Sequence, residues 1–245
     1  MFSAFLEFYV RAFATLLPVL AVTAVAVAAH RAGLTRASTV VVMAALGLLL
    51  GLWYALAAHL GELGILAPPE TATGVPYILF FLFGGTAVLV LLALATGAGR
   101  KLLAGADQRE SIAFQAPRVM GVIFLVGWAV GDIPWQFALP AGVGDIWAGI
   151  AGWQAYRALE AGRENATALV WRANIIGLLD FAVAVLTGLM TSEGFLHVMA
   201  MENPNIINDF PLVLFPAFFV PIFLAGHVFS IMKLRSSARL SALSA

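Results

Sequence analysis

The sequence contains no cysteine among its 245 residues. This absence excludes disulfide bridges, thiolate metal sites, iron–sulfur clusters and a cysteine nucleophile, and it leaves the redox compartment of the protein undetermined. Charged residues are scarce as well: they make up 11% of the chain, whereas soluble domains contain about 25%. The formal net charge is zero, so we do not expect a nucleic-acid partner, which would require a strongly basic face.

Hydrophobic residues take the place of charge and amount to 62% of the sequence, against about 45–50% in soluble domains. A soluble fold of this length could not bury so much apolar surface, so we expect the lipid bilayer to cover it. A membrane-crossing helix needs about 20 mostly apolar residues. The sequence therefore predicts an all-α integral membrane protein, a single membrane domain over residues 1–245 with seven transmembrane helices at 9–29, 38–59, 77–96, 117–131, 136–156, 168–191 and 210–232.

Basic residues are distributed unequally between the two sides of this predicted bundle. One side has only Arg11, whereas the other side and the C-terminal tail hold twelve basic residues: Arg31, Arg36, Arg100, Lys101, Arg109, Arg118, Arg157, Arg163, Arg172, Lys233, Arg235 and Arg239. Lysine and arginine collect on the cytoplasmic side of membrane proteins. The N-terminus is therefore predicted outside and the C-terminus in the cytoplasm, as in a multi-pass protein of a bacterial inner membrane.

Two carboxylates lie deep within predicted spans. Asp145 is about 14 Å from one end of the fifth helix, and Asp180 is about 12 Å from Arg172 at the start of the sixth, at 1.5 Å per residue. Both positions are near the middle of a hydrocarbon core about 30 Å thick. Ionisable residues at this depth are functional candidates. The alternative interpretation is that each carboxyl group is hydrogen-bonded or protonated and only holds the bundle together.

Small residues share the helix faces of these carboxylates, with Gly142, Gly149 and Gly152 on the face of Asp145 and Gly177 on that of Asp180. Transmembrane helices approach each other closely along such stripes. We therefore expect both aspartates to face protein and to lie near one another. Because like charges repel in a medium of low dielectric constant, at least one of the two should carry a proton.

Two basic groups could complete a proton or ligand site with these acids. His227 lies about 9 Å from Lys233 by helical rise, at a depth close to that of Asp180, and histidine titrates near neutral pH. Arg118, at the start of the predicted fourth helix, is expected to extend to the membrane surface. The alternative for His227 is a hydrogen bond to a backbone carbonyl left open by Pro216 or Pro221.

The loop before the last helix contains His197, Met199 and Met201. Imidazole and thioether groups are ligands for copper(I), and on an extended segment all three would point to one face. The same residues would equally serve as an amphipathic lid over the bundle.

No nucleotide-binding or hydrolase motif is present, and we predict no cofactor. A covalently bound retinal would need a lysine within the last helix, but Lys101 and Lys233 both lie at helix boundaries. Haem would need a histidine pair; His59 and His197 are predicted on the outer side and His30 and His227 on the inner side, and only His30 with His227 is a possible pair. The carboxylates alone define no reaction, so an enzyme is not the favoured interpretation.

The sequence thus favours a transporter or proton relay for a small solute or cation, with a site formed by Asp145, Asp180, His227 and Arg118. The alternative is a non-catalytic scaffold or a subunit of a larger complex, in which the aspartates are structural. A third hypothesis is a copper-binding membrane protein that uses the loop. The expected partners are the lipid bilayer and a proton or small molecule, and the sequence identifies no protein partner.

Overall fold

The computed structural model describes the backbone of residues 2–243 and the side chains of residues 3–236. Within this range the chain is helical and contains no strand, which confirms the all-α prediction there. The side chain of Arg239 lies outside the described residues. The helices are α1 (Phe2–Arg31), α2 (Arg36–Glu62), α3 (Tyr77–Ala95), α4 (Gly97–Gly105), α5 (Gln108–Ala129), α6 (Trp135–Glu160), α7 (Ala166–Thr191) and α8, a π-helical segment Phe215–Phe219 continued by Val220–Leu243.

Six helices in the described part of the chain are long and apolar enough to cross a membrane: α1, α2, α3, α5, α7 and α8. Their outer surfaces carry large apolar side chains that are mostly exposed, such as Val40, Leu48, Leu91 and Leu179. Water would solvate such a surface poorly, whereas lipid chains cover it without cost. These helices are those of a membrane-embedded protein.

The fourth predicted span begins in the wrong place. Its helix, α5, starts at Gln108 and not at residue 117, because Asp107 caps it by accepting a hydrogen bond of 2.8 Å from the N–H of Arg109. The polar start of α5 made residues 108–115 look like a linker. Pro117 falls within a 3₁₀-helical segment, Ala116–Gly121, in the middle of α5. Arg118 therefore lies halfway along the helix and not at its end.

The last predicted span also begins too early. Residues 210–213 form turns, and the helix starts with the π-helical segment Phe215–Phe219. A second π-helical segment, Phe80–Gly84, interrupts α3 and packs against the first. Segments of this kind often occur at functional sites.

The connections between helices gather at two ends of the bundle. At one end, which we call the basic end, Arg31 forms an ion pair of 2.8 Å with Glu110, and the ammonium group of Lys233 donates to the carbonyl of Ala106. At the other end, which we call the loop end, the connections 63–76, 130–134 and 192–214 meet. The N–H of Phe195 donates to the carbonyl of Pro69 there (3.0 Å).

Helix α6 packs extensively on both α5 and α7. Gly142, Gly149 and Gly152 approach α5: a Cβ added at each would contact Leu125, Val119 and Gln115, respectively. This glycine stripe therefore faces α5 and not α7. A different glycine, Gly144, is the one that lies against α7, as described below. Because α6 is buried on two sides, the sequence alone does not say which neighbouring helix each side contacts.

Candidate functional site

The guanidinium group of Arg118 lies at the centre of the bundle, with 0% of its surface exposed. The expectation that this side chain extends to the membrane surface is wrong, because α5 begins at Gln108 and not at residue 117. The 3₁₀-helical segment that contains Arg118 lies against α6. The cationic carbon of the guanidinium also lies 3.6 Å from the centre of the Phe181 ring, a cation–π contact.

Two carboxylates bind one edge of this guanidinium. Its Nε donates to Asp145 Oδ1 at 2.9 Å, and its Nη2 donates to Asp180 Oδ2. Nε and Nη2 form the same side of the planar group, so the two carboxyl groups, one from α6 and one from α7, are held next to each other. Two potential negative charges thus share one positive charge.

Glycines provide the space for this cluster. Three of them lie so close to its members that an added Cβ would overlap the neighbouring side chain: Gly121 with Asp145, Gly144 with Asp180, and Gly177 with His227. Small residues let transmembrane helices approach closely. Here that approach lets three polar side chains from different helices converge.

The opposite side of the guanidinium contacts α7 and α8. Nη1 donates to the carbonyl of Gly177 at 3.1 Å and lies 3.2 Å from His227 Nε2. A guanidinium has no acceptor, so His227 Nε2 accepts this hydrogen bond. The ring proton therefore resides on Nδ1, which donates to Asn174 Oδ1 at 2.9 Å.

The alternative expectation for His227, a bond to a carbonyl freed by proline, is contradicted by these contacts. The carbonyl that Pro221 leaves without a backbone donor belongs to Ala217. Trp53 Nε1, from α2, donates to it at 3.0 Å. Pro221 is thus compensated by Trp53, and His227 is a member of the arginine cluster.

The polar contacts continue from His227 towards the basic end. Asn174 Nδ2 and Gln108 Nε2 both donate to Ser230 Oγ, at 2.8 Å and 2.7 Å. Asn174 and Ser230 are completely buried. Sequence reasoning missed both residues, although Ser230 lies one helical turn from His227 and each is a polar residue within a predicted span. This network fills the bundle between the cluster and the basic end.

A cavity of about 70 Å³ adjoins the two carboxylates on the side of the loop end. Apart from Asp145, Asp180 and Asn208, its lining is almost entirely apolar, with side chains from α3, α5, α7 and α8 such as Leu82 and Phe215. The second oxygen of Asp180, Oδ1, is buried and has no hydrogen-bond partner among the described residues.

Buried asparagines close the bundle above this cavity. Asn205 Nδ2 donates to Thr191 Oγ1 at 3.0 Å, and Asn208 Nδ2 donates to Ser192 Oγ at 2.9 Å. Both asparagines are at least nine-tenths buried. They tie the 192–214 connection to the end of α7, so the cavity is covered at the loop end.

The proposed copper ligands lie in the same connection, but its backbone is not extended. The N–H groups of Val198 and Met199 both donate to the carbonyl of Met190, so the alternation expected for His197, Met199 and Met201 does not apply. Met201 is 65% exposed, while His197 Nε2 is buried and has no partner among the described residues. Copper binding by these residues stays a prediction.

The described part of the chain contains no group of three or more His, Cys, Asp or Glu side chains arranged to hold a metal ion. Both ring nitrogens of His227, one half of the considered haem pair, are already in hydrogen bonds.

A family model described as a domain of unknown function, DUF8737, matches residues 75–235. This range extends from α3 into α8 and contains every residue of the cluster and its polar network. No curated protein and no solved structure is significantly similar to the chain. Since the matched range is more than half of the 245 residues, the chain belongs to the DUF8737 family.

Proposed function

We propose that this protein binds one positive charge, either a proton or a small cationic group, at Asp145, Asp180 and Arg118, and acts as a transporter or proton relay. One observation carries the proposal: two carboxylates inside the bundle, Asp180 buried and Asp145 partly buried, share a single guanidinium. With both acids ionised the cluster has a surplus negative charge. Burying an unpaired charge in a membrane interior is costly, so a proton or a monovalent cation is required to balance it.

The free oxygen and the adjoining cavity support a binding role. Asp180 Oδ1 lacks a hydrogen-bond partner among the described residues, and such an oxygen in a buried site favours an incoming donor. The cavity of about 70 Å³ has room for roughly two water molecules, at about 30 Å³ each. A group the size of an ammonium or methylammonium ion would fit there.

The polar network towards the basic end is a poor route for protons. The guanidinium of Arg118 has no hydrogen-bond acceptor, and the amide of Asn174 has no titratable proton. A relay through Arg118, His227 and Asn174 would need a proton acceptor at Arg118 and a titratable proton at Asn174. We therefore assign proton exchange to the cavity side of the carboxylates and a positioning role to His227 and Asn174.

The structural alternative also rests on a specific observation. Each nitrogen of the Arg118 guanidinium has at least one acceptor, as expected for a buried arginine that only holds helices together. In that case the protein is a scaffold or a subunit of a larger complex. The partnerless oxygen of Asp180 favours the binding role over this alternative.

We further propose that the bundle spans the membrane seven times, with α6 as the seventh crossing helix. α6 has 26 residues, about 39 Å at 1.5 Å per residue. It exposes an apolar face, Val143, Trp147 and Ile150, while its glycines and alanines face protein. Its glycines lower its mean hydropathy, but they lie against α5 and α7 and do not face lipid.

The orientation that we propose has the basic end in the cytoplasm. With Arg118 removed from the surface, eleven basic residues remain on that side and Arg11 alone on the other. This places the N-terminus outside and the C-terminus in the cytoplasm, in the inner membrane of a bacterium.

Because the chain has no cysteine, single cysteines can be labelled without background. An impermeant thiol reagent outside intact cells should label Glu70→Cys and Glu202→Cys but not Ser38→Cys; labelling at Arg163→Cys would reverse the orientation.

Binding of a proton or cation is tested on the purified protein. Infrared difference spectra should be recorded between about pH 5 and about pH 9, a range around neutrality in which a carboxyl group that exchanges protons is visible. They should contain a protonated-carboxyl band that is lost in Asp145→Asn or Asp180→Asn. Proteoliposomes should take up methylammonium in exchange for protons, and both variants should fold but lose the uptake. Asp132→Asn, an exposed acid at the loop end, is the matched control and should change neither signal. Normal spectra and uptake in the two cluster variants would support the structural alternative.

A further inference from the structure

We propose that the ligand is an amphipathic monoamine, an alkyl chain with one ammonium head, and that it reaches the carboxylates from within the bilayer, between α3 and α7. This inference rests on the proposed function, since it names the class of cation and its route. It is carried by the shape of the cavity and by what closes it.

Both ends of the bundle are blocked on the way to the cavity. Towards the basic end lies the buried network of His227, Asn174 and Ser230. Towards the loop end, the buried Asn205 and Asn208 tie the 192–214 connection to the end of α7. Access from water at either end would require these hydrogen bonds to break.

The side of the cavity is different. Seven of its lining residues are only partly buried, and all but Asp145 are apolar: Leu79 on α3, Ala184, Val185 and Leu189 on α7, and Pro216 and Val220 on α8. Helices α3 and α7 each pack against α8, which lies behind the cavity. The partly exposed lining therefore opens sideways between α3 and α7. In a membrane this side of the bundle faces acyl chains.

The size and charge of the cavity define the ligand further. Known drug-sized ligands occupy pockets of about 300–1,000 Å³, whereas this cavity measures about 70 Å³. Only a head group fits inside, and an attached chain would extend along the apolar opening. One ammonium group balances the surplus carboxylate and can donate to Asp180 Oδ1. A neutral alcohol would leave the charge unbalanced, and an anion would add to it.

Binding of labelled dodecylamine by the reconstituted protein tests this inference, with dodecanol and methylamine as the compared probes. We expect the unchanged protein to bind dodecylamine more tightly than either compared probe. The double variant Asp145→Asn with Asp180→Asn should retain only the dodecylamine that partitions into the lipid. Ala184→Trp should fill the opening and weaken dodecylamine binding about tenfold or more. The matched control is Ala182→Trp, on the exposed face of the same helix, which should bind normally. Val185→Phe, a smaller increase in side-chain volume at the opening, replaces Ala184→Trp if that variant does not fold.

The outcomes separate this inference from the proposed function. Methylamine bound as tightly as dodecylamine, or an Ala184→Trp or Val185→Phe protein with unchanged dodecylamine affinity, would overturn the lateral route while leaving the cation site intact. The carboxyl band in the infrared spectrum should persist in Ala184→Trp, because the cluster itself is untouched. Loss of amine binding of every kind, together with absence of that band in the unchanged protein, would overturn both.

Discussion

Asp180 Oδ1 lies so close to Gly144 that a Cβ on residue 144 would overlap it. The backbone of α6 is thus one wall of the space that holds the carboxyl group of α7. The other oxygen of Asp180 binds Arg118, so the carboxylate is fixed from two sides. This arrangement requires glycine at residue 144, because any larger side chain would occupy the position of the carboxyl group.

Gly144→Ala should therefore disturb the cluster and not only the packing. Adding a methyl group to a tightly packed interior costs about 1–3 kcal/mol, and here the group that must move is a charged ligand of Arg118. We expect a lower melting temperature in detergent and loss of the protonated-carboxyl band or of its pH dependence. Gly51→Ala is the control, since a Cβ there has nothing within 4 Å and alanine favours helix over glycine. Equal melting temperatures for both variants would show that α6 and α7 separate at Gly144 without strain.

Charge balance in the cluster predicts an unequal set of variants. Asp180→Asn leaves one carboxylate for one guanidinium and should be well tolerated. Arg118→Met leaves two carboxylates without their cation, and removing one partner of a buried ion pair costs about 3–5 kcal/mol. Adding Asp180→Asn to Arg118→Met should restore part of that loss. The measurement is a double-mutant cycle of thermal unfolding in detergent. Additive effects would mean that the two groups do not stabilise each other.

How much of this site the sequence predicts depends on which helix each residue belongs to. Asp145 and Asp180 stand out because each is an acid within an uninterrupted apolar segment, flanked by small residues at helical spacing. Their depth follows from simple counting along the helix. These two residues needed no knowledge of the neighbouring helices.

Arg118 and the network of His227 were harder to predict for a physical reason. Pro117 and the polar residues from Gln108 onwards resemble a linker, so the arginine seemed to lie at the surface. In the structure the helix begins at the cap Asp107, and it continues past Pro117 as a 3₁₀-helical segment. Which side chains meet in the interior depends on how the helices pack, and a stripe on α6 that contacts α5 cannot be told from one that contacts α7.

The cap of α5 makes a prediction about pH. The side chain of Arg109 donates to Asp107 and its N–H donates to the same carboxylate, and the hydrogen bond from the Arg109 side chain is the main cause that lowers the pKa of Asp107 in the folded protein. A carboxyl whose pKa is lowered on folding stabilises the protein above its unfolded pKa, and the effect is lost as the pH falls through the folded pKa.

Asp107→Ala should thus lower stability by about 1 kcal/mol near neutral pH, the usual effect of losing a helix cap. The difference from the unchanged protein should shrink below about pH 4, the ordinary pKa of aspartate. Asp107→Asn keeps a capping side chain but no charge, so most of the neutral-pH stability should remain while the pH dependence disappears. Melting temperatures in detergent across this range test the prediction; a difference that grows on acidification would contradict the sign.

The last prediction concerns the hydrogen bond from Trp53 to Ala217. Pro221 has no N–H, so the carbonyl of Ala217 lacks its usual donor four residues along the helix, and Trp53 Nε1 supplies one at 3.0 Å. The indole reaches α8 across α3 because residue 85 is glycine: a Cβ there would overlap the Trp53 ring. One tryptophan of α2 thus makes a proline in α8 tolerable.

Trp53→Phe keeps an aromatic ring but removes the donor, and leaving a buried carbonyl without a partner costs about 1–3 kcal/mol. Pro221→Ala supplies a backbone N–H to the same carbonyl. The double variant should therefore lose less stability than the sum of the two single variants, because the new N–H replaces the indole. Thermal unfolding of all four proteins in detergent measures this coupling. Gly85→Ala should resemble Trp53→Phe, since it displaces the ring, whereas Gly84→Ala, with nothing within 4 Å of its Cβ, should not. If the double variant is as unstable as the sum predicts, Trp53 stabilises α8 by packing alone, and the proline is compensated by another group.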